Sequence, residues 1–171
     1  MSLSTFCIDS ELIHEAESLI EWLRAHQLTV ITAESCTGGL IAAALSHARG
    51  ASDCLHGGFV VYTKDCKAAV LDVDRELLDQ MGSVNAQVAH ELVRGAIAHS
   101  PADLAVAVTG VLGPEPDEDG NPPGQVYFGL ARRGHDSRVF AQRFSRDDPH
   151  EVRRAVVLRA LELLRETGMS T

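Results

Sequence analysis

A serine and a lysine stand out as residues that would do nucleophilic chemistry together. Ser35 lies within residues 33–39, where hydroxyl, thiol and glycine residues join an apolar run to a helical pattern that begins at Leu40. A turn of this kind aims backbone N–H groups and the helix dipole at one point, which suits an oxyanion or a phosphate. The alternative is that Thr37 only caps the helix, while Gly38 and Gly39 let the helix pack closely on the strand.

Lys67 is the candidate base for Ser35, because the common hydrolase signatures are absent. Ala33 and Thr37 stand where a G-x-S-x-G elbow has glycines, and the eight histidines show no spacing typical of a triad. A lysine accepts a proton near neutral pH only if burial lowers its pKa. Taken alone, Lys67 is more readily interpreted as a solvated helix residue than as a base. A further alternative makes Cys36 the nucleophile, although a buried structural cysteine is the commoner case.

Hydrophobic periodicity predicts alternating helices and buried strands. The predicted helices run from Asp9 or Ser10 to about His26, and over 38–48, 64–71, 74–81, 85–100 and 149–166. The predicted strands cover 28–32, 59–62, 104–108, 125–132 and 138–144, with Gly57 and Gly58 introducing the second strand and a hairpin joining the last two. Residues 110–124 form a long polar loop. The pattern indicates an α/β fold, a three-layer α/β/α arrangement with a mixed, mostly parallel sheet.

Three predicted strand ends carry polar groups, and ligands gather beyond the carboxyl ends of strands in such sheets. These groups are Ser35, Cys36 and Thr37; Tyr62, Thr63, Lys64 and Lys67; and Thr109 and Gly110. Several hydroxyl groups and a lysine would then lie at one edge of the sheet. Such a set resembles a nucleophile with its base and its orienting groups.

Composition limits the classes of function. A length of 171 residues predicts one domain over 1–171, and the net charge of −9 argues against a nucleic-acid partner. The four cysteines show no metal-binding spacing and read as free thiols, which favours the cytoplasm. No apolar stretch reaches membrane-spanning length, so no membrane association is expected. An apolar helix face would serve a dimer as well as a core, which leaves a homo-oligomer open.

Five segments in order resemble the CinA C-terminal domain family over nearly the whole chain. They are residues 32–39, residues 57–63 with Lys67, residues 82–84, residues 109–114, and Val152 and Arg153 with Ala160 and Leu161. The first segment is specific to the family, and the order of all five makes coincidence improbable.

The resemblance implies a fold, an activity and a set of roles. Members of this family include nicotinamide-nucleotide amidases, which convert nicotinamide mononucleotide to nicotinic acid mononucleotide and ammonia in pyridine-nucleotide salvage, without metal or cofactor. The partner implied is a small-molecule nucleotide substrate. In this chain Ser35 would be the nucleophile and Lys67 its base, and Tyr62 and Thr109 would orient the site. Arg153 would help hold the anionic substrate. The oxyanion donors would come from the backbone at Thr37, Gly38, Gly39 or Gly110.

The chain also departs from the family pattern. Asn85, Leu112 and Gln125 replace the usual Ser, Ala and Thr, and residues 115–117 replace a glycine-rich continuation. Residues 147–149 stand where many members have G-D-R, so one arginine is missing unless Arg146 substitutes for it. These departures leave two alternatives: a catalytically weak nucleotide-binding or regulatory module, or an amidase for a different small amide.

Overall fold

A computed structural model describes residues 8–145 and 148–169 and shows a five-stranded sheet between two layers of helices. Cys7, Arg146 and Asp147 lie outside the described residues. The helices are α1 Ser10–Ala25, α2 Leu40–His47, α3 Lys64–Leu71, α4 Arg75–Met81, α5 Ala86–Ala98 and α6 Pro149–Met169, with a short 3-10 helix at Ala51–Asp53. The strands are β1 Val30–Glu34, β2 Leu55–Val60, β3 Leu104–Gly110, β4 Gln125–Arg132 and β5 Arg138–Arg143.

The sheet has the order β2-β1-β3-β4-β5. β1 pairs in parallel with β2 and β3, whereas β4 pairs antiparallel with both β3 and β5. Four strands therefore run in one direction and β4 runs in the other. This confirms the predicted α/β fold with a mixed, mostly parallel sheet, and the β4–β5 hairpin is the part that makes the sheet mixed.

Each face of the sheet carries its own apolar core. One core joins the buried faces of α1, α2 and α6 to strand residues such as Val106 and Phe128. The other joins α3, α4 and α5 to strand residues such as Ile31 and Ala105. β1 and β3 are buried along their whole length or nearly so, as expected for strands covered on both faces. Within 8–145 and 148–169, no helix is long and apolar enough to cross a membrane.

The predicted bounds of β1 and β2 are wrong, and close packing of a glycine explains the difference at β2. β2 covers Leu55–Val60 rather than 59–62, so Gly57 and Gly58 lie inside the strand instead of introducing it. A β-carbon on Gly58 would lie 2.5 Å from Thr32 Oγ1 and 2.9 Å from Ala42 Cβ, so glycine is needed for α2 to approach the sheet. β1 likewise starts and ends two residues later than predicted, at Val30 and Glu34.

A glycine in α5 sets how closely α3 packs against it. A β-carbon on Gly95 would lie 2.3 Å from the carbonyl oxygen of Leu71, the last residue of α3. Backbone atoms at this distance cannot move aside as a flexible side chain would. Because α3 also carries Lys67, the contact at Gly95 fixes the helix that supplies the candidate base.

We expect Gly95→Ala to destabilise the protein by about 1–3 kcal/mol, as overpacking does elsewhere. Helix propensity alone predicts the opposite sign, a gain of about 1 kcal/mol. Chemical denaturation measures the difference. Gly113→Ala is the matched control, because no atom lies within 4 Å of its β-carbon position. A Gly95→Ala variant as stable as wild type would show that α3 and α5 tolerate a wider separation.

Candidate active site

The side chains of Ser35 and Lys67 meet at the carboxyl edge of the sheet. Lys67 Nζ lies 3.0 Å from Ser35 Oγ, within hydrogen-bond distance. Lys67 is fully buried, at 0% exposure, and Ser35 is 7% exposed. The interpretation of Lys67 as a solvated helix residue is therefore wrong, and the structure brings the two residues together as the sequence predicts.

Two backbone carbonyls hold the Lys67 amine in place. Nζ donates hydrogen bonds to the carbonyl oxygens of Val61 and Tyr62, both at 2.9 Å. Burial lowers the pKa of Lys67 from 10.5 to about 8, because the charged form loses its hydration. A neutral amine has two N–H groups and one lone pair. It can thus donate to both carbonyls while its lone pair accepts the hydroxyl proton of Ser35.

The backbone on both sides of Ser35 is fixed. Ser35 is the first residue after β1, and its N–H donates to the carbonyl oxygen of Val108 in β3 at 3.0 Å. Its own carbonyl accepts the N–H of Gly38 at 3.1 Å. Gly38 and Gly39 have φ values of +64° and +94°, which glycine adopts without steric cost. These glycines therefore turn the chain sharply from β1 into α2 and leave the Ser35 hydroxyl at the strand end.

The carboxylate of Glu34 organises the start of α2. It is 0% exposed and accepts four hydrogen bonds. Two come from the hydroxyls of Thr32 and Thr37, at 3.0 and 2.7 Å. The other two come from the N–H groups of Ile41 and Ala42 in the first turn of α2, at 3.0 and 2.8 Å. The helix dipole and these four donors together stabilise a buried negative charge.

The side chain of Glu34, and not that of Thr37, accepts the first N–H groups of α2. The proposal that Thr37 caps α2 is wrong, because Gly39 occupies the cap position and the Thr37 hydroxyl is committed to Glu34. Sequence reasoning missed Glu34, although one signal was present: no Ser, Thr, Asp or Asn directly precedes Leu40, so another acceptor had to satisfy the first N–H groups. The Ile41 and Ala42 N–H groups are consequently unavailable to a ligand.

A cavity of about 310 Å³ opens in front of Ser35. Tyr62, Thr109 and Gly110 line it, so the structure brings these predicted site residues to the serine. Tyr62 is 70% exposed, and its carbonyl rather than its ring contacts the Lys67 amine. Thr109 is fully buried, and its hydroxyl donates to the carbonyl oxygen of Ser83 at 2.8 Å, which ties β3 to the segment before α5.

Cys36 also lines the cavity, but its thiol is poorly suited to act as a nucleophile. Burial, together with the nearby negative charge of Glu34, raises the pKa of Cys36 to about 12. The thiolate is the reactive form of cysteine, and very little of it would exist at neutral pH. The geometry therefore favours the Ser35 hydroxyl over this thiol.

Arg153 lies near the site without lining the cavity. It is half-buried on α6, and its positive charge acts on the Cys36 thiol, where it partly offsets the rise in the Cys36 pKa. Pro149 is the first residue of α6, a position that suits proline because its missing N–H would have no partner there. The family departure at Pro149 is thus accommodated by the helix itself.

Two other departures from the family pattern serve the fold. Leu112 is 7% exposed and packs in the core beneath α6. It lines a separate cavity of about 360 Å³ with Phe144, and not the one at Ser35. Asn85 caps α5, since its Oδ1 accepts the N–H of Val88 at 2.9 Å. Neither residue adds bulk beside the Ser35 hydroxyl.

Three carboxylates that sequence reasoning did not place at the site line the cavity as well. They are Asp117, Glu118 and Asp119, from the long polar loop after β3. A loop without periodicity gives no sequence signal for its path. Lys64 Nζ lies 3.7 Å from Glu118 Oε1 and 3.8 Å from Asp119 Oδ1. Within the part of the chain that the structure describes, no group of His, Cys, Asp or Glu residues is arranged to hold a metal ion.

We expect Glu34→Gln to lower the free energy of unfolding by about 3 kcal/mol. Glutamine keeps the size of the side chain, but its NH2 group would face two donors where Glu34 offers an acceptor. Urea denaturation measures the loss. Glu17→Gln on the exposed side of α1 is the control for charge removal. Equal stability of the two variants would mean that the Glu34 carboxylate does not organise the turn.

Comparison with known proteins identifies relatives over most of the chain. It is 42% identical over 154 residues to the nicotinamide-nucleotide amidohydrolase PncC of Pseudomonas putida, which covers 90% of this chain and 94% of that protein. PncC of Escherichia coli K12 is 36% identical over 156 residues, with 91% and 94% covered. A putative competence-damage inducible protein of Caldicellulosiruptor saccharolyticus is 37% identical over 161 residues. That match covers 94% of this chain but only 38% of the relative.

Solved structures agree with these matches. The competence/damage inducible protein CihA of Agrobacterium tumefaciens superposes with a TM-score of 0.90 at 36% identity, covering 96% of this chain and 100% of that one. A CinA superfamily protein of Escherichia coli superposes with a TM-score of 0.86 at 34% identity, covering 95% and 94%. Residues 13–168 also match the family model described as the CinA C-terminal domain. The chain belongs to the CinA C-terminal domain family, as its motifs predict.

Proposed function

We propose that this protein is an amidohydrolase that converts nicotinamide mononucleotide to nicotinic acid mononucleotide and ammonia. The observation that carries the proposal is the 3.0 Å contact between Lys67 Nζ and Ser35 Oγ at the wall of a cavity. Relatives named nicotinamide-nucleotide amidohydrolase that align with about nine tenths of the chain support the choice of substrate. The reaction belongs to pyridine-nucleotide salvage and needs no cofactor in this proposal.

In the first half of the reaction, the Ser35 oxygen attacks the carboxamide carbon. The hydroxyl proton passes to the lone pair of neutral Lys67, and a C–O bond forms. The tetrahedral intermediate then breaks its C–N bond as the Lys67 ammonium returns the proton to the leaving nitrogen. Ammonia departs and Ser35 holds the acyl group as an ester.

In the second half, water takes the place of the serine hydroxyl. Neutral Lys67 accepts a proton from the water as its oxygen attacks the ester carbon. The ammonium of Lys67 then protonates the departing Ser35 oxygen. The product leaves as a carboxylate and the enzyme regains its starting state, so one amide and one water yield one carboxylate and one ammonium ion.

Backbone N–H groups in the turn after Ser35 are the proposed oxyanion donors. In the described part of the chain, the N–H groups of Thr37 and Gly39 have no hydrogen-bond partner, whereas that of Gly38 donates to the Ser35 carbonyl. Gly110, on the cavity wall, is the alternative donor. Each such donor is worth about 3–4 kcal/mol of transition-state stabilisation. Arg153 is the proposed contact for the phosphate, since guanidinium binds phosphate with two parallel hydrogen bonds.

We propose that residues 1–171 act as one domain on a small nucleotide, with no nucleic-acid or membrane partner. Cys36, Cys54 and Cys66 are free thiols, which fits a reducing cytoplasm. Exposed apolar side chains at Val60 and Tyr62 on the β2 side of the sheet fit the homo-oligomer that the sequence leaves open.

The purified protein should release ammonia and the deamidated nucleotide from nicotinamide mononucleotide. Ser35→Ala should lower this rate by at least about a thousandfold, because no other hydroxyl takes the place of the nucleophile. Cys36→Ala is the matched control and should keep most of the activity. Loss of activity in Cys36→Ala alone would assign the nucleophile to the thiol. Nucleotide binding without turnover would support the binding-module alternative.

We expect kcat/KM for this reaction to rise with pH and to level off above about pH 8. Neutral Lys67 is the active form, and burial lowers its pKa to about 8. A pH profile of the free enzyme measures the midpoint. A profile that is flat from pH 6 to pH 9 would remove Lys67 from the mechanism.

The pH dependence of the free energy of unfolding reports the ionisation of Lys67 without reference to turnover. Between about pH 8 and the ordinary lysine pKa of 10.5, the unfolded chain binds more protons at Lys67 than the folded protein does. The lysine contribution to stability should therefore rise with pH across this window. Lys67→Met should lack that rise while remaining folded.

A further inference from the structure

The cavity at Ser35 is lined both by neutral hydroxyl groups and by three carboxylates. Ser35 lines this cavity, and the buried amine of Lys67 lies 3.0 Å from the Ser35 hydroxyl oxygen. Asp117, Glu118 and Asp119, which we call the acidic strap, line the same cavity. The proposed substrate carries a phosphate, so three carboxylates beside the reactive serine need a physical explanation.

The strap is held in place by contacts of its own. The Asp117 carboxylate accepts hydrogen bonds from the N–H of Asp119 at 3.1 Å and from the N–H and side-chain amide of Asn121 at 2.8 and 2.9 Å. The Asp119 carboxylate packs against Gly82, where a β-carbon would lie 2.0 Å from Asp119 Oδ2. Backbone geometry at Gly82, with φ of +73°, also favours glycine. The strap is therefore a defined part of the cavity wall.

The strap keeps a net negative charge. Lys64 is the cation that the structure pairs with it, at 3.7 Å from Glu118 and 3.8 Å from Asp119. Asp117 has no ion pair among the described residues. Three carboxylates against one ammonium leave the cavity wall negative, and a charge at a partly solvated wall is screened less than a charge in open water.

We infer that the acidic strap selects amides whose carboxamide is attached to a cationic ring. This inference rests on the proposed function. A nicotinamide ring bonded through its nitrogen to ribose carries a positive charge, and the carboxamide that Ser35 attacks is attached directly to that ring. A negative wall attracts the ring when the carboxamide reaches Ser35. Hydrolysis then adds a carboxylate to the ring, which cancels the attraction and favours release of the product.

Oxidised and reduced nicotinamide mononucleotide form the pair of probes that isolates this effect. The two share the carboxamide, the ribose and the phosphate, but the reduced ring is neutral. The quantity measured is the ratio of kcat/KM for the oxidised form to that for the reduced form, at low salt. Comparing this ratio between variants cancels the different intrinsic reactivity of the two rings and the effect of the strap on the shared phosphate.

Glu118→Gln and Asp119→Asn should each lower the ratio by about three- to tenfold, as expected for one charge removed from a partly solvated site. Glu118 has an 80% exposed side chain, so its variant should fold normally. Glu115→Gln is the matched control, because Glu115 is exposed on the same loop and does not line the cavity. Lys64→Gln should raise the ratio, since it removes the cation that offsets the strap.

The outcomes separate the inference from the proposed function. Ratios that are equal in wild type, Glu118→Gln and Asp119→Asn would overturn the inference while leaving the amidase proposal intact. A fall of the same size in the kcat/KM ratio of Glu115→Gln would also overturn the inference. The overall charge of the loop, and not the charge lining the cavity, would then be responsible. Absence of turnover of both nucleotides by the wild-type protein would overturn the proposed function and this inference with it.

Discussion

The site depends on the burial of a lysine amine against a serine hydroxyl. Transfer of an ammonium out of water is costly, and Lys67 is fully buried with two carbonyls and one hydroxyl as its hydrogen-bond acceptors. No carboxylate lies within ion-pair distance of its amine in the described part of the chain. The protein therefore lowers the cost of burial by releasing the proton, and a lysine that releases its proton near neutral pH is a base. The burial that lowers the pKa of Lys67 is therefore also what suits this side chain to its proposed function as a base.

The buried carboxylate of Glu34 holds the turn that follows β1. Glu34 accepts hydrogen bonds from Thr37 and from the first turn of α2, so the helix dipole stabilises a protein carboxylate. This differs from phosphate-binding loops, in which the helix N-terminus faces the ligand. In the described part of the chain, the N–H groups of Thr37 and Gly39 in this turn have no hydrogen-bond partner, and we propose them as donors to an oxyanion. The sheet positions the carboxylate and the serine, because Glu34 is the last residue of β1 and Ser35 follows it with its N–H bonded to Val108 of β3.

Local sequence signals predict much of this architecture, and non-local contacts account for the rest. The apolar run of β3 and the Asn85 cap of α5 follow from patterns within a few residues. The pairing of Ser35 with Lys67 follows from their positions after the ends of two strands and from the order of the sequence motifs. The prediction places Gly57 and Gly58 before the strand because glycine normally interrupts strands, whereas in the structure Gly58 lies inside β2 and makes room for α2. The path of the acidic strap depends on Gly82, about 35 residues earlier in the chain, and nothing local in the sequence signals that contact.

The most direct test of the account is the ionisation of the Lys67 amine itself. A heteronuclear NMR titration of lysine side chains in the free protein, with the Lys67 signal assigned by its loss in Lys67→Met, reports this pKa without reference to turnover. The account predicts a midpoint near pH 8. A midpoint at the ordinary lysine value of 10.5 would contradict it, because the amine beside Ser35 would then be charged throughout the working pH range.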